Sequence, residues 1–307
     1  MRVVVVGLGV QGRKRLKIAG ADAVATVDPV VAGADYRKLE DVPGDAYEAA
    51  LVCVPDREKP SLLEYLLSRG KHVLVEKPLL ADRNESLARL KQLALANGAA
   101  CYTAYNHRFE PHILRLKQLL DRRELGTLYL ARFFYGNGTA RDVRNSAWRD
   151  QGLGVLADLG SHLLDWSIFL FGRRDPAVQV WGSHRFENRS FDHVHFGFEG
   201  QPALEFEVTL LSWRNSFRAD VFGELGSAHI DSLCKWGPSV FTSRRRVLPS
   251  GRPDEDAHTL VCADPTWQSE YDHFKALCDR PETNIDTDIW INSVLHDAAA
   301  KVGVELQ

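Results

Sequence analysis

No Cys-x-x-Cys pair and no Cys/His metal spacing occur among the five cysteines (Cys53, Cys101, Cys234, Cys262 and Cys278) of this 307-residue sequence. An odd number of widely spaced thiols argues against a disulfide framework or a structural zinc site and fits the reducing cytoplasm. A basic surplus is missing too: 38 Lys and Arg stand against 41 Asp and Glu, a formal net charge of −3. Nucleic-acid binders normally carry a cationic excess, so that class is set aside. Long uncharged runs are absent. The longest apolar-looking stretch, Leu153 to Phe171, contains Asp158, His162 and Asp165, too many ionisable groups for a membrane span. The apolar run Val3 to Val6 is followed by glycines and then by Arg13-Lys14-Arg15, the wrong charge order for a secretory signal. No repeat, low-complexity tract or linker-like tract stands out. The expectation is a cytoplasmic globular protein with no nucleic-acid partner, no membrane and no metal.

What is present is an alternation of short β-rich runs and helical patterns. Arg2–Val6, Ala23–Val27, Ala49–Val54, His72–Val75 and Ala100–Tyr105 read as strands, and Gln11–Ala19, Ser61–Ser68 and Asn84–Ala96 as helices. Strands alternating with helices imply βαβ units and a doubly wound parallel sheet, a Rossmann-type domain over residues 1–106. Beyond Asn106 the grammar changes. A helix (Pro111–Leu120), a strand (Leu128–Tyr135) and a helical stretch near Leu153–Phe171 precede four alternating runs: Val178–Phe186, His193–Phe198, Ala203–Leu211 and Ser216–Phe222. Consecutive strands with short polar turns predict an α+β domain, residues 107–307, with a large, mostly antiparallel open sheet. Trp267–Cys278 and Asp288–Val302 close the chain as helices.

Directly after the first strand stands Gly7-Leu8-Gly9-Val10-Gln11-Gly12, opening a helix. The first glycine serves a tight turn, the second lets backbone approach a pyrophosphate, and the third lets helix and strand pack closely. The helix N-terminus offers free N–H groups to an anion. Three glycines at this spacing say little alone; with a strand before and a helix after they predict dinucleotide binding. The second strand ends at Asp28, where a carboxylate would accept hydrogen bonds from the adenosine ribose. That charge repels a ribose phosphate and no Arg follows closely, so NAD is expected over NADP. Arg13-Lys14-Arg15 opposes the helix dipole in the first turn, unless an anion is nearby or the side chains reach solvent.

Further elements name a family. Glu76-Lys77-Pro78-Leu79 ends a strand; Tyr105-Asn106-His107-Arg108-Phe109 with Pro111 follows, and then Asp158-Leu159-Gly160-Ser161-His162-Leu163-Leu164-Asp165. With the glycine turn, and with Phe222-Gly223-Glu224-Leu225-Gly226-Ser227 later on, this order resembles the Gfo/Idh/MocA family of sugar and cyclitol oxidoreductases across nearly the whole chain. The resemblance implies hydride transfer between nicotinamide and a secondary hydroxyl or ketone of a sugar, cyclitol or nucleotide sugar. It implies Lys77, Asp158 and His162 as catalytic residues. Gly7, Gly9, Val10, Gln11, Gly12, Asp28, Pro55, Glu76, Lys77 and Asn106 would hold NAD. Lys77, Tyr105, Arg108, Trp148, Arg149 and His162 would meet the substrate, with Arg141, Arg144 and Lys235-Trp236 as looser candidates. On a helix, Asp158, His162 and Asp165 lie within about 60° of one another. Such a stripe among leucines is costly unless its groups are paired or employed, and histidine titrates where a base for the hydroxyl proton is needed.

Two features depart from the family pattern. A His often found four residues after Pro55 is Lys59 here, and the segment between Asp28 and Ala49 is short, so one βα unit looks trimmed. Two other readings stay open at this point: a redox-neutral glycosidase with retained NAD, and a dinucleotide-sensing regulator without chemistry. The Arg244-Arg245-Arg246 run reads as a solvated edge. Trp181, Phe196, Phe198, Phe206 and Trp213 enrich the second sheet, one face of which must be covered. By resemblance, that face would pack against another copy in a homodimer or homotetramer.

Overall fold

A computed structural model of the chain describes residues 1–146, 149–174 and 177–304. Two compact units emerge: Met1–Asn106 with Thr266–Asn292, and His107–Pro265 with the stretch from Ser293 onward. The expectation that everything after residue 106 forms the second domain is therefore corrected, because residues 266–292 return to the first unit.

The first unit runs β1 (Val3–Val6), α1 (Val10–Ala19), β2 (Ala23–Val27), β3 (Ala49–Val52), α2 (Lys59–Leu67), β4 (His72–Glu76), α3 (Asn84–Ala96) and β5 (Cys101–Ala104). The strands form one parallel sheet in the order β2-β1-β3-β4-β5. Four consecutive valines make β1, and all are buried, as a parallel strand covered on both faces requires. Side chains alternate between the two faces. Val3 and Val5 join Leu51, Leu74 and Tyr102 on one side; Val4 and Val6 meet Leu63, Leu66, Leu87 and Leu90 of α2 and α3 on the other. The short β2–β3 connection carries only a single 3-10 turn, Leu39–Asp41, in place of a helix and strand. The expected trimming is real. Tyr271 and Phe274, from the returning segment, supply apolar cover on the Val3/Val5 face, which accounts for that segment's allegiance.

The second unit comprises α4 (Pro111–Asp121), β6 (Leu128–Gly136), α5 (Ala140–Arg144), α6 (Ser161–Phe171), β7 (Gln179–His184), β8 (His193–Phe198), β9 (Ala203–Thr209), β10 (Ser216–Gly223), β11 (Gly226–Asp231), β12 (Ser239–Arg245) and β13 (Glu255–Leu260). Two final helices are α7 (Thr266–Asp279), in the first unit, and α8 (Ile285–Lys301). Sheet order is β13-β12-β11-β10-β6-β9-β8-β7, antiparallel except for β6 with β9. One face is aromatic: Phe133, Phe206, Phe196 and Phe217 are buried, and Trp166 of α6 lies 4.8 Å from Phe217, ring to ring. The other face is polar, with Arg132 on Glu205 at 2.7 Å and Asp220 between Arg218 and His229. Among the expected sheet aromatics, Trp181 and Trp213 are exposed, not core. Strands β11 to β13 escaped the sequence reading; β13 is exposed almost throughout and lacks an apolar face. Arg244 pairs with Glu255 of β13 at 2.9 Å, so the arginine run sits one strand in from the edge, with Arg245 and Arg246 exposed.

Candidate active site

The glycine turn is built for close approach. Gly7 has φ +89°, a conformation costly for side-chain-bearing residues, and a Cβ there would stand 2.5 Å from the Cys53 carbonyl oxygen. A Cβ on Gly12 would stand 1.7 Å from the Gly7 carbonyl oxygen, so α1 could not pack against β1. Gly9, by contrast, faces open space, and it caps α1 with no side chain, no acid following in the first turn. Val10 is 75% exposed beside it. An uncapped helix N-terminus with an open backbone is the arrangement a dinucleotide pyrophosphate requires, so the residues present fit that group.

Asp28 is only 8% exposed. Its Oδ2 accepts from the Leu8 amide at 2.7 Å and its Oδ1 from Val30 and Val31 at 2.8 Å each. Burial alone would raise this carboxyl, but the three amides and Arg37 outweigh it and hold the group below the usual aspartate range. The cations of α1 divide. Arg13 and Lys14 are exposed, whereas Arg15 is 1% exposed, with Nε on Glu76 and Nη2 on Glu270, each at 2.6 Å, and lies over the Trp267 ring. Neither a bound anion nor solvent accounts for Arg15; two buried carboxylates do. Glu76, expected at the cofactor, spends its side chain on this pair.

After β3, exposed Pro55 opens the turn that leads to Lys59. The Lys59 ammonium is buried and donates to Asp56 Oδ1 and to the Pro78 carbonyl, each at 2.6 Å. It thereby fastens the loop carrying Lys77, a half-buried side chain just beyond β4. At the end of β5, Tyr105 is buried with its hydroxyl donating to Asp288 at 3.0 Å, and the Asn106 amide donates to Thr266 at 2.8 Å. Tyr105 thus serves the interior of the first unit, which corrects its assignment to substrate.

In the second unit the expected helix stripe is split. Residues Leu156–Gly160 wind as a wide π-type turn before α6. Asp158 has a side chain 40% exposed, whereas His162 is 5% and Asp165 1% exposed. Asp165 is bound by Arg108, whose Nε donates at 2.8 and 2.9 Å to its two oxygens and whose Nη2 donates at 2.5 Å. Burial pushes the Asp165 carboxyl up while Arg108 opposes the shift. Arg108 therefore has a structural partner within the second unit, Asp165. Arg149 Nη2 lies 3.9 Å from Asp158 Oδ2; Trp148 lies outside the described residues.

His107 was missed as a functional candidate although it stands inside the quoted motif. Its ring stacks on His162, centroids 4.0 Å apart and planes at 27°. Its Nε2 meets Lys235 Nζ at 2.6 Å and its carbonyl accepts the Trp166 indole N–H at 3.0 Å. An ammonium only donates, so that ring nitrogen is the acceptor of the contact. Tyr135 borders both histidines, and burial drives its phenol far above the ordinary range. Nearby, Glu110 accepts from the Cys234 amide and, at 3.1 Å, from its thiol; burial raises the Glu110 carboxyl. His162 is thus placed in a wall of aromatic rings with a cation one residue away.

Comparison with known proteins follows the same outline. Residues 1–105 match the oxidoreductase family with NAD-binding Rossmann fold, and residues 113–229 match the GFO/IDH/MocA C-terminal domain. A scyllo-inositol 2-dehydrogenase (NAD(+)) of Bacillus subtilis is 26% identical over 325 aligned residues, covering 94% of this chain and 89% of that protein. A scyllo-inositol 2-dehydrogenase (NADP(+)) of the same organism is 27% identical over 162 residues, 52% of this chain and 44% of that protein. The aligned part is short for several curated relatives, spanning 37%, 59% and 44% of their lengths. Among solved structures, a levoglucosan dehydrogenase in complex with NADH and levoglucosan superposes with a TM-score of 0.81 at 16% identity, covering 99% of this chain and 97% of that one. Matches to both of its domains, in order along the sequence, make this chain a member of the Gfo/Idh/MocA oxidoreductase family, with an NAD-binding Rossmann domain at its N-terminus.

Proposed function

We propose that the protein oxidises a secondary hydroxyl of a sugar or cyclitol, or reduces the matching ketone, with NAD(H) as the redox partner. NAD(H), when bound, accepts or supplies the hydride. His162 takes the hydroxyl proton, Lys77 hydrogen-bonds the reacting oxygen and favours its developing charge, and Asp158 orients the proton path together with Arg149. The observation that carries this reading is the setting of His162: a buried imidazole, stacked on the His107 ring, on a helix entered through a π-type turn. Such turns recur at functional sites. The polyol-dehydrogenase names of the curated relatives support the substrate class. In the same reading the polar face of the second sheet packs on another copy as a homodimer or homotetramer, and the five free thiols suit a cytoplasmic enzyme. Among the described residues no helix is long and apolar enough to cross a membrane.

The test is NADH absorbance in a panel of sugars, cyclitols, nucleotide sugars and their keto forms. Turnover that disappears in His162→Ala and in Lys77→Ala, with NADH binding retained, is the expected result. Near-normal turnover in both variants would refute the assignment.

A further inference from the structure

Glu110 stands immediately before α4 with 1% exposure, and its carboxylate makes no ion pair among the described residues. A buried carboxylate is ordinarily paired with a cation or bound to a metal. The ammonium of Lys235 is near enough to favour the charged form, but it is engaged by His107 Nε2 at 2.6 Å. What faces Glu110 is a set of further donors. In the turn Cys234–Trp236, between β11 and β12, Cys234 is 2% exposed and its Sγ lies 3.1 Å from Glu110 Oε2. Asp264, half-buried beyond β13, brings a second carboxylate, and the donor atoms of Glu110, Cys234 and Asp264 all lie within 4.8 Å of one another. Cys262, exposed and two residues earlier, places a second thiol close enough to hinder ionisation of Cys234.

We propose that Glu110, Cys234, Cys262 and Asp264 form a binding site for one zinc-class divalent cation, wholly within the second unit. Around a tetrahedral Zn²⁺, with bonds of about 2.3 Å to sulfur and about 2.1 Å to oxygen, neighbouring donors sit roughly 3.4–3.8 Å apart. Small side-chain rotations close the observed set to that spacing. Two thiolates favour zinc over magnesium or calcium, which take oxygen donors. Each thiol gives its proton to solvent as its sulfur bonds the ion, and the Glu110 carboxyl, which burial tends to keep protonated, does the same. Lys235 offsets part of the negative charge that four anionic donors carry beyond that of the ion.

The ion ties together the start of α4, the turn before β12 and the segment after β13. It fixes Cys234 beside Lys235, the cation that meets His107, whose ring stacks on His162. Sequence spacing predicted no metal because the donors stand at positions 110, 234, 262 and 264, and only the fold gathers them. Neither the dinucleotide nor the substrate takes part in this site.

The test uses the full chain without an affinity tag, reduced and freed of metal by a chelator that is then dialysed away. Calorimetry with Zn²⁺ should show one equivalent bound with a dissociation constant below about 10 μM. Titration with Co²⁺ should bring up sulfur-to-cobalt charge-transfer absorption in the near ultraviolet, and Mg²⁺ should bind at least about a hundredfold more weakly than Zn²⁺. Cys234→Ser and Cys262→Ser should each reduce that absorption, and Asp264→Asn should weaken Zn²⁺ by at least about tenfold. Cys262 and Asp264 lie outside any strand or helix, so their variants remain decisive if Cys234→Ser does not fold. Zn²⁺ binding weaker than about 10 μM, or several equivalents bound with no charge-transfer band, overturns the site. A band and an affinity unchanged in both Cys262→Ser and Asp264→Asn overturn it as well.

Discussion

Replacing Arg15 by Met takes away the guanidinium that Glu76 and Glu270 share at 2.6 Å each. Arg15 and Glu270 have fully buried side chains, and Glu76 is nearly so. A buried charge left without its partner costs about 3–5 kcal/mol. At about 2–4 °C per kcal/mol for a domain of this size, the melting temperature should fall by roughly 6–20 °C. Scanning calorimetry reads the effect, and the double variant Arg15→Met with Glu270→Gln should recover part of the loss, because it removes one of the two carboxylates left without a partner. Melting within about 2 °C of the unaltered protein, or no recovery in the double variant, would refute the account of Arg15 as a buried charge hub.

Two further outcomes are expected. Arg108→Met leaves Asp165 buried and unpaired, so urea unfolding should show a loss of about 3–5 kcal/mol, where a substrate contact would leave stability unchanged and raise KM instead. His112, His72 and His193 are all held below the ordinary histidine value, chiefly by burial. The unfolded chain therefore takes protons first, and stability should decline as pH falls below about 6.5 towards the depressed folded values. Thermal melts across pH 5–8 check this, and His112→Gln should flatten the slope.

Much of the first unit was legible because its signals are local. Consecutive valines running into a glycine declare a buried strand, and the turn needs Gly7 for its positive φ and Gly12 for its close approach to the Gly7 carbonyl, both local requirements. The strand Ala23–Val27 and the helix Asn84–Ala96 fall where periodicity alone placed them. The motif residues Lys77, Asp158 and His162 were readable in the sequence, but their surroundings were not. A wide turn at Leu156–Gly160 has no sequence signature in an apolar helical run, and neither has the greater exposure of Asp158 beside buried His162 and Asp165.

Partners of charged side chains belong to the tertiary structure. Arg15 meets Glu270 across 255 residues, and Lys235 meets His107 across 128. Nothing local encodes such a pair, because a buried cation is tolerated only where the completed fold supplies an acceptor, and that position is fixed by sheet order and helix packing. Arg37 shows the same limit at short range. Nine residues looked too far from Asp28 to matter, until the shortened connection turned the chain back and set the two side by side. The sequence by itself determined the strands of the first unit, the glycine turn and the family. The fold alone decided which carboxylates are occupied, which cations are committed, and therefore which groups remain to meet a ligand.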